Sequence, residues 1–372
     1  MKNMVKYICR KTENVFSFLY TNVLYVFSIK RNNTMTIKDV AKYSGVSITT
    51  ISRVLNNHPD VREEVRAKVL KAIEELHYVP NSSARDLGKM QTDTIGVVVR
   101  GVGNPFLNSV LHAIEKEVSR ADYSMVMHQI GSNEDELAEG ASLVRSKRLK
   151  GLIFLGGRFD YTSEQIATLG VPFVCCTYTN TFGSLKKTAY SSVYIDDYAE
   201  AFRAVKTLTD LGHKKIAVLL GTTDDHSISE LRFKGYCDAL KSAGIVLDKD
   251  LIIEAKSFNI DDAFKATESF LKKGKDFTAI FSIADAMGIA AIKALHTVGL
   301  NVPDDCSLIA IDGIQVSKYT IPTLTTLVQP SKQMGTLAVE VLLNVLKDEC
   351  GSCQLKLETT LREGGTLAKP KA

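Results

Sequence analysis

From Thr92 onward the chain alternates short apolar runs with longer stretches whose apolar positions recur every three or four residues. Strands and helices in alternation bury their apolar faces as a parallel sheet flanked by helices, so this rhythm fixes an α/β architecture for most of the chain. Strands are expected at 95–99, 125–128, 152–155, 173–176, 216–220, 279–283 and 308–311, and helices near 105–120, 134–146, 198–211, 229–243, 261–272, 287–299 and 331–346. So many strands exceed one compact doubly wound sheet. A chain of 372 residues, 45% hydrophobic and 24% charged, has room for two or three domains with their own cores and is neither disordered nor fibrous. Its seven cysteines are too sparse for a disulfide scaffold and read as the reduced thiols of a cytoplasmic protein.

The net charge of +4 becomes informative once divided along the chain. Residues 1–34 carry six Lys/Arg against one acid, residues 35–91 nine against seven, and residues 92–372 thirty-one against thirty-four. Positive charge gathers in the first quarter, which points to a polyanion or a membrane surface at that end. Val15 to Ile29 is mostly apolar between Arg10-Lys11 and Lys30-Arg31, but it falls short of the roughly 18 apolar residues of a membrane span and is interrupted by Ser17, Thr21, Asn22 and Ser28. No small-x-small cleavage site comes after it. Residues 1–34 are therefore expected to be a disordered extension or upstream sequence read through to an early Met, with Met35 as the functional start.

Residues 35–80 read as three short helices. Thr36-Ile-Lys-Asp39 is a capping-box pattern, after which Ile37, Val40 and Ala41 share a helical face. Gly45 breaks that helix at a tight turn, and Ser47 is placed to cap a second helix, 48–56, with Ile51, Val54 and Leu55 inward. Asp60 with Glu63 is expected to cap a third, carried by Val65, Val69, Ala72, Ile73 and Leu76 and ending near Tyr78. Outward on the second helix lie Ile48, Thr49, Thr50, Ser52 and Arg53: short hydroxyls that reach phosphates or base edges, and one guanidinium able to grip guanine O6 and N7. A merely solvated helix more often carries Glu and Lys pairs.

The run from Thr36 to Gly88 resembles, without a gap, the N-terminal domain of the lactose repressor family of bacterial transcription regulators. The resemblance rests on Val46-Ser47 at the start of the second helix, Ser52-Arg53 near its end, Tyr78-Val-Pro80-Asn81, and Ala84-Arg-Asp-Leu87. It implies a helix-turn-helix domain (35–80) whose second helix faces the major groove, and a hinge (81–91) that orders only when two copies pair on DNA, since a turn or two of helix is unstable alone. The hinge pair would enter the minor groove and push Leu87 into the central base step as an apolar wedge. DNA contacts are thus expected from Thr36, Ser47, Ile48, Thr49, Thr50, Ser52, Arg53, Asn56, Asn81, Ala84 and Leu87 of a homodimer on a pseudo-palindromic operator.

The same resemblance extends over essentially all of 36–366. It implies that residues 92–372 form two Rossmann-like lobes of the periplasmic sugar-binding type, the chain crossing between them near Tyr194–Asp197, near Pro322–Thr326, and again after the helix ending about Leu346. In such folds ligands sit outside the carboxyl ends of the strands, in the cleft between lobes. Residues placed after strands are Asn104-Pro-Phe106, Asp196, Asp197, Arg232, Phe258, Asp285 and Asp312. A carboxylate and a guanidinium there suit adjacent sugar hydroxyls, and the phenylalanines could stack on a ring. The resemblance places pocket residues at Phe106, His226, Arg232, Phe258 and Asp312; Asp285 is added as a candidate that could equally cap a helix. Two positions depart from the pattern: Ala284 stands where many members have Asn, and Thr177 where members often have Asp. Both changes remove polar grip.

No Gly-rich phosphate loop, His-Glu-x-x-His or nucleophile elbow occurs, so no catalysis, cofactor or metal is expected. Cys350-Gly-Ser-Cys353 is a single C-x-x-C without a second pair, and Cys175-Cys176 reads as core. The expected function is a ligand-responsive transcriptional repressor acting in the cytoplasm, with no membrane partner. The competing reading is a solute-binding protein or sugar-processing enzyme with an N-terminal anchor, for which a capped reader helix joined to a hinge has no use.

Overall fold

The structure, a computed structural model, describes residues 35–55, 58–76, 78, 92–101, 104–131, 134–158 and 160–371. They fall into two compact units divided at residue 89. Residues 1–34 and the expected hinge lie outside the described residues.

In the first unit, α1 (Ile37–Ser44), α2 (Ile48–Leu55) and α3 (Glu63–Glu75) close around Val40, Ile51, Val54, Val69, Ala72 and Tyr78. The Thr36 N–H and hydroxyl both donate to the Asp39 carboxylate, at 2.8 and 2.7 Å, which fixes where α1 begins. Gly45 ends it with φ 65°, its N–H reaching Ala41 O, in a left-handed conformation that costs other residues roughly 1–2 kcal/mol. The start of α3 differs from expectation: Arg62, not Asp60, is its N-cap, and Asp60 pairs instead with His58 at 3.3 Å. No side chain closes that cap. Glu63 and Glu64 in the first turn compensate by facing the unpaired N–H end of the helix. The helix also stops at Glu75, and Tyr78 beyond it folds back into the core.

The second unit has two lobes. Lobe 1 begins with β1 (Thr94–Arg100), α4 (Pro105–Arg120), β2 (Ser124–Ile130), α5 (Glu136–Lys147), β3 (Gly151–Leu155), α6 (Ser163–Ala167), β4 (Phe173–Cys176) and β5 (Ser191–Tyr194). Lobe 2 continues with α7 (Asp197–Asp210), β6 (Ile216–Leu220), α8 (Ile228–Ser242), β7 (Ile252–Glu254), α9 (Ile260–Leu271), β8 (Ala279–Ser282), α10 (Asp285–Thr297), β9 (Ser307–Asp312) and β10 (Thr325–Val328). The chain then returns: α11 (Ser331–Leu346) and β11 (Gln354–Lys356) complete lobe 1, and β12 (Thr360–Arg362) completes lobe 2. The strand orders are β11-β5-β4-β3-β1-β2 and β12-β10-β9-β8-β6-β7, parallel throughout except where β12 runs against β10.

The crossings therefore lie at 195–196, 329–330 and 357–359. The first is where the sequence put it. The second comes later than Pro322–Thr326, because that segment leads into β10, and the third waits until β11 has been laid down. Unexpected strands β5 and β10 are hydroxyl-rich rather than apolar, yet their hydroxyls are satisfied inside: Ser192 Oγ donates to Tyr178 O at 2.7 Å, and Thr326 Oγ1 donates to Asp285 Oδ1 at 2.5 Å. Each lobe also closes two helices over a glycine. A Cβ on Gly235 of α8 would lie 2.3 Å from Tyr198 O, and one on Gly335 of α11 would lie 2.5 Å from Val110 O. The backbones approach too closely there for any side chain.

Candidate nucleic-acid interface and ligand cleft

Helix α2 turns Ile51 and Val54 inward and leaves Ile48, Thr49 and Arg53 exposed, with Thr50 and Ser52 half-buried. Ser47 Oγ accepts from the Thr50 N–H at 3.1 Å and lies 2.9 Å from the Thr50 hydroxyl, so part of the expected contact set builds the helix start. Thr36 is likewise exposed while capping α1. Tyr43 Oη donates to Glu75 at 2.5 Å and ties α1 to α3 behind this surface. Asn56, Asn81, Ala84 and Leu87 lie outside the described residues.

In the second unit, the ends of β1, β3, β4, β6, β7 and β9 converge on one cavity of about 820 Å³. Lobe 1 contributes Arg100, Asn104, Phe106, Arg158 and Thr177; lobe 2 contributes Thr222, His226, Arg232, Phe258 and Asp312, with Gln329 at a crossing. Phe106 comes two residues after Asn104, whose side chain accepts from the Phe106 N–H at 3.0 Å and starts α4. Its ring is 4% exposed, so it is core as well as wall. A smaller hollow of about 360 Å³ lies at the opposite end of β6, ringed by the ion pairs Lys215–Asp276 and Lys275–Asp250. None of its side chains has a buried polar atom without a partner.

The cleft is different. Arg100 Nε, Thr177 Oγ1, Thr222 Oγ1 and Asp312 Oδ2 are all buried without a hydrogen-bond partner, and all belong to residues lining the cavity. A buried polar atom left unpaired costs about 1–3 kcal/mol, so four around one cavity mark a surface made for a polar occupant. Thr177, one of the two positions that depart from the family pattern, has one of these buried, unpartnered hydroxyls.

Arg232 forms the charged centre. It is 2% exposed, donates from Nε to Asp197 Oδ1 at 2.9 Å, lies 3.5 Å through Nη1 from Asp312 Oδ1, and also donates from Nη1 to Ile283 O. Asp197, a helix-start residue beside the first crossing, is raised above its ordinary pKa by burial, against the pull of Arg232. Burial pushes Asp312 further, up to about 7, although Arg232 and the Gln329 side chain, 2.8 Å away, favour its charged form. Asp312 is held at φ 131°, a conformation that costs an L-residue free energy and turns up at binding sites.

Asp285 is a correction. It is fully buried and outside the cavity wall, accepting from the Ile314 N–H at 2.9 Å, the Ser317 hydroxyl at 2.6 Å and the Thr326 hydroxyl, with Arg362 3.8 Å away. Its carboxylate organises the 313–326 segment, away from the cavity wall. Residues that sequence reasoning passed over are Arg100, Arg158, Thr222 and Gln329. Arg100 ends a buried apolar strand at its carboxyl side and was findable by the same rule as Asp312; Gln329 sits just past a strand that the apolar pattern did not reveal.

Comparison with known proteins assigns both units. Residues 36–81 match the model for bacterial regulatory proteins of the lacI family, and residues 92–362 match that for periplasmic binding proteins and the sugar-binding domain of the LacI family. The chain belongs to the LacI family. The HTH-type transcriptional regulator MalR of Clostridium butyricum is 39% identical over 331 residues, covering 88% of this chain and 98% of that one. Among solved structures, the lac repressor dimer bound to operator and the anti-inducer ONPF matches with a TM-score of 0.74 at 26% identity, over 90% of this chain and 99% of that one. The complex of the regulator CelR with cellobiose matches with a TM-score of 0.66 at 27% identity, over 89% and 99%. LacI-family proteins are DNA-binding transcription regulators rather than enzymes, which sets aside the solute-binding and sugar-processing alternative. Among the described residues no helix is long and apolar enough to cross a membrane.

Proposed function

We propose that the chain is a cytoplasmic, homodimeric repressor whose affinity for a pseudo-palindromic operator is set by a neutral sugar of one or two rings bound between its lobes. Arg53, Thr49 and Ile48 read base edges, Thr36, Ser47, Thr50 and Ser52 position the helix, and Leu87 is the wedge. In the cleft, Arg232, Asp312, Arg100, Thr177 and Thr222 hold hydroxyls, with Phe106, Phe258 and His226 as walls. The single observation that carries the reading is the group of four buried polar atoms without partners around one cavity. Mixed donors and acceptors on both lobes suit a polyol, and the volume lies within the roughly 300–1,000 Å³ of small-molecule sites. A two-ring occupant is supported by the relative captured with cellobiose.

Titration calorimetry with cellobiose, maltose and ribose, then operator selection from random DNA with and without the binding sugar, tests this. Binding of one sugar that is lost in Asp312→Ala, together with a sugar-dependent change in operator affinity, is the expected result. Retained binding in Asp312→Ala would move the site elsewhere.

A further inference from the structure

The lobes are joined covalently at their three crossings, and a second, non-covalent connection spans them at the rim of the cleft. On lobe 1, Arg158 Nη2 holds Asp160 Oδ2 at 2.8 Å, and the segment after β4 presents Phe182. On lobe 2, the start of α8 presents His226 and Lys234. The Phe182 ring stacks on the His226 imidazole, centroids 5.1 Å apart and planes at 22°, while Lys234 Nζ sits 4.4 Å from the centroid of the same ring. Asp160 Oδ2 lies 3.4 Å from His226 Nδ1.

The lobe 2 half is preassembled. Glu230 accepts from the His226 N–H at 2.9 Å and from Lys234 Nζ at 2.7 Å, so one carboxylate fixes both groups that meet Phe182. His226 takes φ 51°, in the left-handed region that His enters more readily than most side chains. Below this, Ile228 and Leu231 of α8 pack against the core of lobe 1, so apolar burial backs the ring contacts. Stacking and cation–π contacts of this kind are individually weak, but together, and with this apolar packing, they add to the link made by the three crossings.

We infer that Asp160 and Phe182 on one lobe, with His226 and Lys234 on the other, form a clasp that ties the two lobes together at the rim of the cleft. Arg158, His226 and Ile228 also line the cleft, so an occupant bears on the clasp directly. The clasp stands apart from the identity of the sugar.

Hydrogen–deuterium exchange of the full chain without ligand tests the clasp, using Phe182→Ala on lobe 1 and Lys234→Met on lobe 2. Each variant should speed amide exchange several-fold on the opposite lobe: Phe182→Ala at 228–234, and Lys234→Met at 179–186. The double variant should add little to either, since both remove one shared contact. Circular dichroism melts confirm that each variant folds, and Lys234→Met alters a half-exposed side chain that no core depends on. Exchange that rises only in the mutated lobe, or effects that multiply in the double variant, would show that the contacts do not hold the lobes together.

Discussion

Replacing Asp312 by Asn is expected to remove most of one pH dependence of stability. The carboxyl is buried, Oδ2 has no partner, and burial raises its pKa from 3.8 to about 7. Between those values the folded chain keeps the proton and the unfolded chain has lost it, so unfolding free energy falls as pH rises and levels off above about pH 7. At 1.36 kcal/mol per unit, three units set an upper bound of roughly 4 kcal/mol. Arg232 is shared between Asp197 and Asp312 and can pair with whichever is charged, which absorbs part of this and leaves roughly 1–3 kcal/mol. In Asp312→Asn the neutral amide can keep its contact with Gln329 and carries no charge to desolvate. Urea melts of wild type and variant at pH 5, 6, 7 and 8, without ligand, should show the wild type losing stability relative to the variant across that range. At roughly 2–4 °C per kcal/mol for domains of a few hundred residues, thermal scans would resolve it too. Parallel curves for the two proteins would mean that Asp312 is ionised throughout and that burial does not govern its proton.

Arg53→Ala should weaken binding to the selected operator by about 1–3 kcal/mol while changing random-sequence binding little, measured by fluorescence anisotropy; equal loss on both would reduce Arg53 to a phosphate contact. Asp285→Ala leaves the Ile314 N–H and the hydroxyls of Ser317 and Thr326 without their acceptor, so it should destabilise the second unit by about 3 kcal/mol or more in urea melts. A variant of normal stability that no longer binds sugar would return Asp285 to the ligand. Gly335→Ala puts a Cβ 2.5 Å from Val110 O and 2.7 Å from the Ala113 Cβ, and should cost about 1–3 kcal/mol through separation of α11 from α4. An unchanged melt would mean that the helices can part without penalty.

The sequence was legible wherever one physical signal dominated. β6 and α11 announce themselves as an unbroken apolar run and a clean helical repeat, and their ends agree with the structure to the residue. β5 and β10 did not, because Ser191, Ser192, Thr325 and Thr326 look like loop residues until their hydrogen-bond partners, distant in sequence, are known. The same holds within the cleft. Phe106 and Phe258 lie a few residues past strands, Asp312 at a strand's carboxyl end and Arg232 in the helix after β6, places that sequence order alone reveals, whereas telling Asp285 from Asp312 required knowing that Ile314, Ser317 and Thr326 surround only the first. Neither the αL cap at Gly45 nor the Thr36–Asp39 exchange needed tertiary context, since both are settled within five residues.

The late return of the chain has a consequence for how the protein is made. Lobe 1 has most of its sheet by residue 194, yet α11, which covers α4 and carries Leu342 against Gly151, comes only after lobe 2 has been traversed, and its edge strand β11 later still. A nascent chain halted anywhere between those points holds an open sheet flank that nothing in its own synthesised portion can cover. The helical unit, by contrast, is fully encoded near the start. During translation the DNA reader is therefore finished early, and both halves of the sensor are sealed almost together once β11 and β12 have emerged.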